Sequence, residues 1–176
     1  RDLTAARSEI DAARRIAPTN PDALVALGRW YTIQGKYTAA AAAYDQARRN
    51  APPAERGAYA LAQARYHLDT SLRLCDTGLP VALEAVTLRP DDGAAWSTLS
   101  ATRLACGDPA GAREAAERAL LIHPDDPEAA YHQGRALAIL GEHSAARLAL
   151  VRAADLAPAS EWRARAEAQI VALGLR

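Results

Sequence analysis

Small and apolar residues recur along this chain with a helical period. Leu24, Leu27, Gly28 and Tyr31 form one i, i+3, i+4, i+7 stripe, and Ala40, Tyr44 and Ala47 form the next. Comparable stripes return at Ala112, Ala116 and Ala119 and at Ala146, Leu150 and Ala153. Start signals stand between the stripes. Asn20-Pro21, Asp108-Pro109 and Asp126-Pro127 each pair a good N-cap with proline at the first helical position. The pattern predicts helices over 3–17, 21–34, 37–50, 54–74, 79–88, 93–106, 109–122, 127–140, 143–156 and 160–173, the last started by Ser160. β-Branched residues are few and scattered, which disfavours sheet.

The stripes belong to a longer period. Prolines fall at Pro18, Pro52, Pro90, Pro124 and Pro158, spaced 34, 38, 34 and 34 residues apart. Five residues before each stands an alanine: Ala13, Ala47, Ala85, Ala119 and Ala153. Twelve before each stands a small residue: Ala6, Ala40, Gly78, Ala112 and Ala146. Eight before each come Ile10, Tyr44, Ala82, Ala116 and Leu150. Gly35, Gly107 and Gly141 each precede a proline by seventeen residues, and Leu27-Gly28, Leu61-Ala62, Leu99-Ser100 and Gln133-Gly134 mark a further column. Four columns in step over five copies define internal repeats.

These columns resemble the tetratricopeptide repeat. Leu24, Leu27-Gly28, Tyr31, Ala40, Tyr44, Ala47 and Pro52 fill every column of its pattern. Trp96, Leu99-Ser100, Ala112, Ala119 and Pro124 fill most, and Gly134, Leu137, Ala146, Leu150, Ala153 and Pro158 fill the later part. The resemblance spans nearly the whole chain. It implies an all-α fold, a right-handed superhelical solenoid of antiparallel helix pairs. The expected organisation is one domain over 1–176: a half repeat at 1–18, repeats at 21–52, 53–90, 93–124 and 127–158, and a capping helix at 160–173. Each column has a physical reason. Small residues let helices approach closely, the turn glycine supplies positive φ after a helix, and the proline ends the second helix. In the capping helix, Arg163, Arg165, Glu167 and Gln169 are expected to face solvent, with Ala166, Ile170 and Leu173 facing inward.

The third unit departs from the pattern by four residues. Leu61, Leu68, Leu72 and Cys75 continue one stripe, and no strong breaker precedes Asp76-Thr77-Gly78. The expectation is a first helix of about 21 residues and a short second helix from Pro80, the extra turn projecting past its neighbours. Arg65 and Arg103 replace the usual tyrosine, their stems covering apolar surface.

Composition narrows function. Twenty-one basic and twenty-one acidic residues cancel, so the basic excess of a nucleic-acid binder is absent. Half the residues are apolar, yet there is no Phe, and alanine dominates, which suits thin helical layers. Arginine supplies every basic residue but Lys36, a bias of bacterial GC-rich genomes. No stretch reaches the length of a membrane span, so no membrane insertion is expected. The domain reads as soluble, in the bacterial cytoplasm or outside it. The sequence lacks Met and opens on the second half of a repeat, which points to a piece of something longer. Cys75 and Cys106 lack metal-site spacing and are read as small buried apolar residues, with a disulfide as the alternative in an oxidising compartment.

Catalytic chemistry is sparse. His67, His123, His132 and His143 fall in unrelated repeat columns, and no phosphate loop or nucleophile elbow occurs. No enzyme activity and no cofactor or metal is expected. Asp91-Asp92 and Asp125-Asp126 read as helix caps. The resemblance places function on the concave face of the first helices. There it implies Val25, Arg29, Tyr59, Gln63, Tyr66, Ser97, Ala101, Tyr131 and Arg135 as partner-binding residues, with Thr32, Leu104 and Ala138 in the same columns. Tyr and Arg are frequent interface anchors. The Lys and Asn of the family's carboxylate clamp are missing from these columns. The expected function is a scaffold that binds another protein or peptide. The alternatives are a regulatory or docking domain of a larger enzyme or envelope-assembly protein, and a ligand or peptide sensor. Weak self-association through the first helix is also expected.

Overall fold

The alanine columns are what hold the helices together. In a computed structural model, which describes residues 3–174, Ala40, Ala47, Ala85, Ala112, Ala119, Ala146 and Ala153 are all fully buried. Residues 1, 2, 175 and 176, and with them the outer bounds of the 1–176 expectation, lie outside the described residues, as does the side chain of Ala6. The described residues form ten α-helices and no strand.

They divide into two compact units, Arg1–Arg89 and Pro90–Arg176. The first holds α1 (Leu3–Ile16), α2 (Pro21–Ile33), α3 (Tyr37–Asn50), α4 (Arg56–Thr70), a π-helical turn (Leu74–Gly78) and α5 (Leu79–Leu88). The second holds α6 (Gly93–Ala105), α7 (Pro109–Ile122), α8 (Pro127–Ile139), α9 (His143–Leu156) and α10 (Glu161–Ala172). Among the described residues of each unit, a helix packs on its sequence neighbours and on the next but one, as α2 on α4 and α6 on α8. Stacked repeats bury their cores in this local way.

The small-residue column works as expected. A Cβ built on Gly28 would stand 2.8 Å from the Tyr44 ring, and one on Gly134 would stand 2.7 Å from Leu150 Cγ. At the same column in α6, the buried Ser100 hydroxyl donates to the Ala112 carbonyl at 2.7 Å, tying α6 to α7. The turns follow too: Gly35, Gly107 and Gly141 have φ of 69°, 81° and 82°. Asn20, Asp92, Asp108, Asp126 and Ser160 each accept a backbone N–H at a helix start. Arg103 donates to the Gly111 carbonyl at 2.8 Å and so clasps the α6–α7 turn. On α10, Ala166 is buried, while Ile170, Leu173 and Trp162 pack on the Leu150–Ala153 cluster. Arg163–Glu167 and Arg165–Glu161 pairs line its outer face.

Two expectations fail. The helix expected over 54–74 runs only from Arg56 to Thr70, so no helical ledge projects. Ser71 and Arg73 turn into left-handed φ of 55° and 47°, and the inserted residues form the π-helical turn ahead of α5. One local bond and one tertiary contact accompany this break. The Thr70 hydroxyl donates back to the Tyr66 carbonyl at 2.7 Å, and Leu72 folds onto the Ala40–Tyr44–Tyr66 cluster. The cysteines are the second correction. Both are disulfide-bonded, and Cys75 is exposed, so neither is a buried apolar filler.

Candidate partner-binding groove

The face shared by α2 and α4 is open where their facing side chains are small. Ala58 and Ala62, one turn apart on α4, line two adjoining depressions of about 510 Å³ and about 480 Å³. The larger is walled by Arg29, Thr32 and Ile33 of α2 and by Leu61, Arg65, Tyr66 and Asp69 of α4, with Tyr44 of α3 contributing. The smaller lies toward the helix starts, among Asp22, Val25, Glu55, Tyr59 and Arg89.

Hydrogen bonds set the aromatic floor. The Tyr66 hydroxyl donates to the Tyr37 carbonyl at 2.5 Å, and its ring stacks on Tyr44 with centroids 4.8 Å apart. Burial pushes the Tyr44 and Tyr66 phenols up, opposed at Tyr44 by the Arg29 guanidinium. The Tyr59 hydroxyl donates to Asp22 at 2.7 Å, bridging α4 to α2. Burial and then that carboxylate push the Tyr59 phenol up to about 12. Both ends of the groove are thus polar and its middle is alanine. Such a surface can take a chain close to the helix backbone and hold its side chains at either end.

The residues named from the sequence separate by accessibility. Arg29 is exposed, and Val25 and Tyr59 are half-buried. Gln63 is buried and turns the other way, accepting from Arg48 Nε at 2.9 Å. Tyr66 is buried as a packing residue. In the second unit Ser97, Ala101 and Tyr131 are buried, as are Leu104 and Ala138, while Arg135 is half-buried with its guanidinium 5.8 Å from the Tyr131 ring. Tyr131 itself packs on Trp162 at 5.6 Å. Column reasoning misses Ala58, Ala62, Asp22, Asp69 and Arg89 as lining residues. Part of their signal is visible in the sequence, since Ala62 stands in the small-residue column and Arg65 beside it replaces the consensus tyrosine.

Among the described residues no group of three or more His, Cys, Asp or Glu could hold a metal ion. Likewise, no described helix is long and apolar enough to cross a membrane.

A family model for the tetratricopeptide repeat matches residues 1–55 and 102–161. No curated protein matches the chain. Among solved structures, the fold is similar to PilF of Pseudomonas aeruginosa, with a TM-score of 0.75 and 21% identity over 97% of this chain and 82% of that one. It is similar to a thermophilic TPR protein of Thermus thermophilus, TTC0263, with a TM-score of 0.74 and 17% identity over 96% and 91%. It is also similar to YrrB, described as a TPR protein with an unusual peptide-binding site, with a TM-score of 0.72 and 20% identity over 94% and 83%.

Proposed function

The chain belongs to the tetratricopeptide repeat family, and on that premise we propose that it is an interaction scaffold whose α2–α4 groove holds a segment of another protein or a peptide. The observation that carries this reading is the groove itself. Two adjoining depressions open over Ala58 and Ala62, flanked by exposed Arg29 and half-buried Tyr59. The peptide-binding site attributed to YrrB, a protein of similar fold, supports the same use here. The repeats at 21–52, 53–90, 93–124 and 127–158, with the half repeat and the capping helix, are the building units in this reading. In the second unit the matching positions are Ser97, Ala101, Tyr131 and Arg135, of which Arg135 has surface to offer.

Peptides selected from a random display library against the protein test the assignment. The counter-target is Ala58→Trp, which fills the groove from an exposed helix position. Groove-binding peptides should lose at least about tenfold in affinity for the filled variant, equivalent to about 1.4 kcal/mol. Undiminished binding across the selected set refutes the groove.

The bonded state of Cys75 and Cys106 supports an oxidising compartment as the place where the scaffold works.

A further inference from the structure

The insertion that breaks the repeat spacing is folded around one histidine. His67 of α4 is 2% exposed. Its Nδ1 lies 2.6 Å from the Leu72 carbonyl, which can only accept, so Nδ1 carries the proton. Nε2 is enclosed and has no hydrogen-bond partner, so it holds the lone pair of a neutral ring. The same bond holds a backbone that is otherwise unfavourable. Ser71 and Arg73, on either side of Leu72, are both left-handed without being glycine. Such conformations persist only where their surroundings over-determine them. Gly78 closes the wrap, since a Cβ there would stand 2.7 Å from His67 Cβ.

The charges around the ring are already committed. From α3, Asp45 is engaged by Arg48 at 3.1 Å and by Arg49 at 2.9 Å. From α5, Glu84 is taken by Arg48 at 2.7 Å. The loop adds Arg73, whose charge repels a proton on His67, while Asp45 weakly favours it. Asp76 of the π-helical turn is exposed, and α4 itself presents the neutral Gln63 and the Tyr66 ring, 5.2 Å from the imidazole.

We propose that His67 is a proton-sensitive latch: its neutral ring clasps segment 71–78 to α4, and a proton on Nε2 loosens that segment on either side of Cys75, which stays tethered by its disulfide. The protonated ring would carry a buried N–H with no acceptor. The ring borders a recess of about 280 Å³ lined by Asp45, Arg49, Arg73 and Thr77, and a swing into it would break the Leu72 bond. The direction follows from burial, which lowers the proton affinity of His67 in the closed form. The closed form binds fewer protons than the open one. The latch is therefore complete above the ordinary histidine value of about 6.5 and is lost as pH falls below it. The last turn of α4, which carries Asp69 beside the groove, frays with it. The latch stands whether or not the groove binds a peptide.

Amide hydrogen exchange of the oxidised full chain at pH 7.5 and 5.0, scaled for intrinsic exchange rates, tests the latch. The expected result is at least a tenfold loss of protection across 71–78 at pH 5.0, with α7 unchanged. His67→Asn keeps an amide donor for the Leu72 carbonyl and cannot titrate, so its segment should stay equally protected at both pH values. If that variant does not fold, ring-nitrogen NMR of the unmodified protein decides. His67 protonating in step with exchange of 71–78 supports the latch. Protection that is the same at both pH values, or a protonated His67 with the segment still closed, overturns it.

Discussion

Replacing Gly134 with alanine sets two effects of opposite sign against each other. Gly134 lies inside α8, where alanine is the better helix former by about 1 kcal/mol. Propensity alone therefore predicts stabilisation. The seam predicts the reverse. The new Cβ would stand 2.7 Å and 2.9 Å from Leu150 Cγ and Cδ2 and 3.1 Å from the Ala146 backbone oxygen. Leu150 is fully buried and has nowhere to swing, so α8 and α9 must move apart. Overpacking of this kind costs about 1–3 kcal/mol. The net expectation is a loss of up to about 2 kcal/mol, or up to several degrees in Tm. Urea unfolding followed by circular dichroism measures it. Leu150→Ala, itself costing about 2–5 kcal/mol, opens the space. In that background only the 3.1 Å approach to the Ala146 oxygen remains, so Gly134→Ala should cost clearly less than it does in the otherwise unchanged protein. If Gly134→Ala stabilises the otherwise unchanged protein, the close-packed seam is wrong.

Three further outcomes are expected. Asp126 caps α8 through the Glu128 and Ala129 amides at 2.9 Å and 3.2 Å, while burial pushes its carboxyl above the usual range. Asp126→Ala should cost about 1 kcal/mol, whereas Asp126→Asn keeps the acceptor and should lie within about 0.5 kcal/mol of the parent at pH 7. Because the folded form holds this carboxyl's proton more tightly, ionisation costs stability as pH rises through its titration, and the Asn variant should lose that slope in urea unfolding across pH 3–7. Tyr59→Phe should remove a phenol that ionises about two units above a free one in ultraviolet titration, and cost about 1 kcal/mol for the Asp22 bond. Mass spectrometry after alkylation should find no modified cysteine without reductant and two with it, and uptake before reduction would contradict the bonded state of Cys75 and Cys106.

The repeat was legible because its constraint is steric and strictly local. Ala47 and Ala119 sit where a second helix allows nothing larger, so spacing alone located the seams. The end of α4 was not legible. Serine and arginine are poor left-handed residues, and the packing of Leu72 on the Tyr44–Tyr66 cluster and the His67 bond to its carbonyl, which no periodic pattern encodes, accompany that geometry at Ser71 and Arg73. The groove was legible by column and misjudged by depth. Column position gave Val25, Arg29 and Tyr59 surface, but it could not tell that Gln63 would turn to Arg48 or that Tyr131 would be covered by Trp162. The Tyr59–Asp22 bridge spans two repeats and leaves no periodic trace.

Amide chemical shifts recorded while a display-selected peptide is titrated into the protein test the scaffold most directly. The account predicts shifts concentrated on Val25, Arg29, Ala58, Tyr59 and Ala62. Shifts confined to the outer faces of α3 and α5, with α2 and α4 silent, would contradict it.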